Sequence, residues 1–140
     1  MRPAEDANLV TAQGGDLLAW LYGAIRTREE AAHAAAGEGT PDWREDTMLY
    51  GVRDTTNRLV ARTQESDAAS VRHIALNDPH SVLSRCASDR KQLELHAAQA
   101  HACPSFDYDE DLDSFSRFYG HETCPVVRHL AEGYGWAESA

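Results

Sequence analysis

The residues that could carry chemistry gather in one stretch, HAAQAHACPSFDYDEDLDSFSRFYGHETCPVVRH, residues 96–129, which holds two of the three cysteines and four of the seven histidines. Thiolate sulfur and imidazole nitrogen are the ligands zinc favours, four at a time in a tetrahedron. Their spacing is His96-x4-His101-x-Cys103, then seventeen residues, then His121-x2-Cys124-x4-His129. Ligands thus approach from both ends of a loop, as a metal staple requires. The set read as metal-binding is His96, Cys103, His121 and Cys124, with His101 as the substitute for His96 and zinc as the metal. Cys124 also lies near the positive end of a helix, which favours the ionised thiol. The same residues allow other readings: surface histidines with merely buried cysteines, a reactive thiol at Cys124, or a redox pair of Cys103 and Cys124.

Several catalytic signatures fail on inspection. His121-Glu122-Thr123-Cys124-Pro125 begins like HExxH, but Pro125 stands where the second histidine belongs and opposes the helix that motif needs. The PCxxC partner of the zinc deaminases is missing. Asp107, Asp109 and Asp111 resemble the start of an EF-hand, yet Leu112 replaces the glycine and Phe118 the closing glutamate. The chain has no P-loop, no dinucleotide-binding glycine turn and no Gly-x-Ser-x-Gly elbow. A non-enzymatic chain is the better reading. A small zinc hydrolase or nuclease, which needs an open metal position, is the rival.

The metal candidates flank an acidic run. From Ser105 to Glu122 six acids stand against Arg117 alone, half of the chain's net charge of −10. Most such runs are solvated loops. The sharper reading is a docking surface for a basic protein partner, made by Asp107, Tyr108, Asp109, Glu110, Asp111 and Asp113, with aromatic anchors among the acids. A net charge of −10 disfavours direct binding to nucleic acid, whose affinity comes from Lys and Arg neutralising phosphates. It admits a second rival, an acidic mimic of DNA that inhibits a nucleic-acid-binding protein.

The elements that must position these residues are legible from periodicity and punctuation. Residues 1–15 read as a flexible leader, 16–136 as one compact domain and 137–140 as a tail. Asp16 caps a helix whose Leu17, Leu18, Leu21 and Ile25 recur at helical spacing; Gly37, Gly39 and Pro41 end it. After the Trp43 turn, residues 48–52 and 58–62 flank Asp54-Thr55-Thr56-Asn57 and read as a β-hairpin. Ser66 or Asp67 caps a second helix, which Asp78-Pro79 breaks. Pro79 opens a long third helix with Cys86 on its buried stripe, and Pro125 opens a fourth that Gly133 ends. The expectation is an α+β fold of about four helices and one small hairpin, its C-terminal loop and helix stapled by zinc.

Three cysteines form no even disulfide framework, the N-terminal residues lack the apolar core of a signal peptide, and the longest apolar run falls far short of a membrane span. A cytoplasmic protein with no membrane contact is expected.

Four segments, GTPDW, RLVART, HIALNDPHSVLSRCASDRKQLELH and CPVVRHLAEGY, together resemble a family of small proteins of unknown function from actinobacteria and their phages. The resemblance spans most of residues 16–134. It implies a histidine ending the long helix, a cysteine-bearing loop and a closing helix; His96, Cys103 and Cys124 fall on those positions. Relatives often carry CxxC in the loop, where this chain has His101-x-Cys103. The resemblance implies organisation, metal binding and a phage-associated setting, and no reaction.

Overall fold

Two proline-opened helices fall where the sequence places them. In the computed structural model, which describes residues 14–97, 100–101, 103, 116–117 and 124–137, the third helix runs Pro79–His96 and the fourth Pro125–Gly133. Proline is tolerated there because the first helical N–H has no intrahelical acceptor. In chain order the elements are α1 (Gly14–Ala36), β1 (Trp43–Asp46), β2 (Gly51–Asp54), β3 (Leu59–Arg62), α2 (Ala68–Leu76), α3 (Pro79–His96), β4 (Ala100–His101), β5 (Ser116–Arg117) and α4 (Pro125–Gly133). The fold is α+β, with four helices and a three-stranded antiparallel sheet among the described residues. None of these helices is long and apolar enough to cross a membrane. The leader, apart from Gly14 and Gly15, lies outside the described residues.

The chain forms two compact units, residues 26–87 and residues 1–25 with 88–140. The first contains a β-meander, β1-β2-β3. The predicted hairpin is present as β2 and β3, joined through the expected turn, where Asn57 takes φ 70° and its N–H donates to the Asp54 carbonyl at 3.0 Å. Its first strand starts later than expected. Residues 47–50 form a turn instead, held by the Asp46 carboxylate, which accepts from the Met48 and Leu49 N–H groups at 3.2 and 3.3 Å. Asp46 then belongs to an additional strand, β1, antiparallel to β2 in the register Trp43↔Asp54 to Asp46↔Gly51. This strand reads WRED and shows no apolar alternation. It is held by the ladder and by Arg53, whose Nε donates to Asp46 Oδ2 at 2.7 Å.

Asp54 is the hub of this unit. Its carboxylate is fully buried and accepts from Thr40 N–H, Thr56 N–H, Thr56 Oγ1, Arg58 N–H and Arg58 Nε at 2.6–3.2 Å. Arg58 Nη2 reaches on to the Ala35 and Ala36 carbonyls at the end of α1. A helix leaves its last carbonyls without intrahelical donors, so this guanidinium acts as a C-terminal cap. Gly39 is required beside it, because a Cβ there would overlap Asp54 Oδ2. The Thr56 hydroxyl, with Arg58 and the backbone N–H groups, holds the Asp54 carboxyl well below the usual range against the opposing effect of burial.

Asp67 caps α2 through its carboxylate, accepting from Ser70 N–H at 3.2 Å. Asp78 plays the same part for α3, accepting from Ser81 N–H at 2.8 Å, while its other oxygen accepts from Trp43 N–H at 3.0 Å. One carboxylate thus ties the start of α3 to β1. Burial alone would raise its pKa, but the Trp43 and Ser81 donors outweigh that and hold it low. Val52, Val71 and Cys86 are buried in this unit, Cys86 as the small apolar side chain its place on the α3 stripe suggests.

The other unit buries Leu17, Leu21 and Ile25 from α1, Leu93 from α3, and Val127 and Ala131 from α4. Beyond α4 the chain is fixed twice. Tyr134 Oη donates to Asp89 Oδ2 at 2.6 Å, and Trp136 meets Trp20 edge-to-face with ring centroids 5.1 Å apart. The C-terminal end of α4 is thereby attached to α3 and α1.

Candidate metal centre

Each candidate ligand arrives from a different local structure. His96 is the last residue of α3. His101 lies in β4, a two-residue strand paired antiparallel with β5 in the register Ala100↔Arg117 and His101↔Ser116. Cys103 follows β4 with no regular structure of its own. Cys124 is the N-cap of α4, its backbone outside the helical region at φ −54°, ψ 130°. The end of α3, the β4 segment and the start of α4 therefore converge within the unit formed by residues 1–25 and 88–140.

One ligand atom from each of His96, His101, Cys103 and Cys124 lies within 4.8 Å of the others. Cys103 Sγ and Cys124 Sγ are 3.5 Å apart, and His96 Nδ1 stands 3.7 Å from both. The His96 and His101 rings meet edge-on at 5.2 Å. Zinc–sulfur bonds of about 2.3 Å and zinc–nitrogen bonds of about 2.0–2.1 Å give tetrahedral edges of about 3.8 Å between sulfurs and about 3.6 Å between sulfur and nitrogen. The observed triangle matches those edges. It is far too wide for a disulfide, whose sulfurs lie about 2.05 Å apart. Two thiols and two imidazoles, His101, Cys103 and Cys124 buried and His96 half-buried, are a donor set suited to a tetrahedral zinc; three of them stand at tetrahedral edge lengths, and all four lie within 4.8 Å.

The electrostatics suit a cation. Burial, reinforced by the neighbouring His101, lowers the pKa of His96, so its imidazole is held in the neutral form that ligates. Cys124 differs from its sequence-based expectation. The N–H groups of Val126 and Val127 at the start of α4 do favour its thiolate, but burial and the adjacent Cys103 thiol outweigh them and push its pKa up. A helix terminus alone does not ionise this thiol; a bound cation would, by displacing the proton.

Of the residues expected to bind metal, the structure brings together His96, Cys103 and Cys124. His101 stands beside His96 rather than in its place. His121 lies outside the described residues. His129 is exposed on α4 and takes no part in the cluster. The expected docking residues Asp107, Tyr108, Asp109, Glu110, Asp111 and Asp113 also lie outside the described residues. What the sequence did not signal is the β4–β5 ladder that positions His101. Elsewhere, Trp43 lines a cleft of about 240 Å³ with Ala31, Ala32, Ala35, Pro79 and Val82, an apolar surface with no convergent acid–base or nucleophilic groups.

Neither a curated protein nor a solved structure matches this chain. A family model does, over residues 14–135, a span that takes in all four helices and every ligand of the cluster. On that match the chain belongs to a family of unknown function, DUF6221.

Proposed function

We propose that this chain is a non-enzymatic interaction or regulatory protein whose C-terminal helix is clasped by a structural zinc ion bound to His96, His101, Cys103 and Cys124. The convergence of these four side chains within 4.8 Å carries the reading. Structural zinc sites take all four ligands from protein, whereas catalytic ones keep a position for water. A His2Cys2 set supplied by one chain fits the first kind and leaves the hydrolase reading without an open position. The clasp joins the end of α3 to the start of α4, opposite the Tyr134 and Trp136 attachments. The acidic residues Asp107, Tyr108, Asp109, Glu110, Asp111 and Asp113 lie between its cysteine ligands in sequence, and we assign them the docking of a basic protein partner, with a phage-associated setting drawn from the sequence resemblance.

Elemental analysis of the purified chain, with thermal melting before and after chelation, tests the clasp. One zinc per chain and a lower melting midpoint after chelation are expected, since metal-binding energy is folding energy in small sites of this kind. Absence of stoichiometric metal, or an unchanged midpoint, removes it.

A further inference from the structure

We propose that Cys103 and Cys124 form a redox release for this clasp, in which a peroxide joins the two sulfurs and frees the metal. The inference rests on the His2Cys2 reading above and adds its regulation. Three observations carry it. The sulfurs lie 3.5 Å apart, so forming a bond of about 2.05 Å needs an approach of only about 1.5 Å. Neither cysteine sits inside a helix: Cys103 has no regular structure and Cys124 is a non-helical N-cap, so both can make that approach without breaking a helical ladder. And the cluster contains just these two sulfurs. Zinc has no redox chemistry of its own, so oxidation falls on the sulfurs. Once both are oxidised, His96 and His101 remain as two nitrogen donors, half of a tetrahedral set.

The step balances. One thiolate attacks a peroxide oxygen, the O–O bond breaks and hydroxide leaves, giving a sulfenic acid. The second thiolate attacks that sulfur, the S–O bond breaks, and a second hydroxide leaves as the S–S bond forms. Both hydroxides take up protons. Two sulfurs lose one electron each, the peroxide gains two, and the products are a disulfide, two waters and free zinc. The consequence is directional. The disulfide still links Cys103 to Cys124, but the tie to His96 on α3 is gone, while Tyr134 and Trp136 keep the far end of α4 attached. Oxidation therefore frees one end of α4.

The test uses the full chain loaded with zinc, treated with equimolar hydrogen peroxide. Freed zinc is read with a chromogenic chelator and thiol state by intact mass and non-reducing peptide mapping. A Cys86→Ala variant removes the third thiol; the unaltered chain is run beside it, and mapping distinguishes Cys86 there. The expected result is one zinc released per Cys103–Cys124 disulfide, reversed by dithiothreitol with added zinc. Zinc retained under peroxide, zinc released with sulfinic acid in place of the disulfide, or a disulfide through Cys86 overturns the release while leaving the clasp standing. A chain that never takes up zinc overturns both.

Discussion

The Asp54 carboxylate in one unit and the His96–His101–Cys103–Cys124 group in the other are both polar clusters set in small cores, and they are satisfied in opposite ways. Asp54 is an anion surrounded by donors that the protein itself supplies, three backbone N–H groups, a hydroxyl and a guanidinium. In the second cluster, two sulfurs and a ring nitrogen face one another at 3.5–3.7 Å. Thiols are weak donors and the neutral imidazole has a lone pair to give, so this group is rich in lone pairs and poor in protons. Buried polar atoms require partners. The first cluster finds its partners within the chain and needs no ligand; the second has the donor set that a cation would complete.

Removing one sulfur acts on the second cluster alone. Cys124→Ser is expected to abolish stoichiometric zinc and lower the melting midpoint by about 10 °C or more. In hydrogen exchange, protection should fall at Val127 and Ala131 and persist at Val52 and Asp54; equal loss in both places would contradict the separate character of the two clusters. The same assay identifies the second nitrogen ligand, with His101→Ala weakening zinc binding at least about tenfold and His121→Ala leaving it unchanged.

Asp54→Asn is the matching cut in the other cluster. Whichever oxygen becomes an amide will face an N–H donor, and Arg58 loses its counter-charge. A fall in midpoint of about 5–10 °C with full zinc content is expected from calorimetry and elemental analysis.

Acid should separate the clusters in sequence. The folded His96 pKa lies below 6.5, so the unfolded chain binds that proton first and stability falls as pH drops through about 6.5. Protonation of ligands also drives off metal. Asp54 behaves with the usual sign of a depressed carboxyl: its contribution is complete above its unfolded value of about 3.9 and is lost below that, as pH falls towards the folded pKa. Zinc release should therefore precede the loss of the meander in a pH titration; release at the same pH would contradict it. The smallest expected effect belongs to Tyr134→Phe, which removes the 2.6 Å hydrogen bond to Asp89 and should cost about 1.5 kcal/mol in denaturant unfolding with zinc retained.

Most helix bounds were legible because their signals are local, although α1 begins at Gly14, so Asp16 stands inside its first turn rather than at the cap expected of it. Pro79 and Pro125 mark starts, Asp67 caps, and Gly37 at φ +46° stops α1. Three features were not. β1 reads WRED, and its place comes from pairing with β2 and from the Arg53–Asp46 ion pair, neither of which periodicity records. Asp54 looks like any turn residue until the chain folds Thr40 and Arg58 around it. His101 owes its position to a two-residue ladder with β5, too short for any pattern, so spacing alone left the choice of histidines open.

The β4–β5 ladder has a further consequence, for engineering. By pairing His101 with Ser116 it holds together the two ends of the intervening segment, which carries five of the six acids counted between Ser105 and Glu122. Closure entropy grows slowly with length, and doubling such an excursion costs about 0.6 kcal/mol. Peptides inserted between Cys103 and Ser116 should therefore leave the proposed zinc affinity unchanged, as a metal titration of the insertion variant would read.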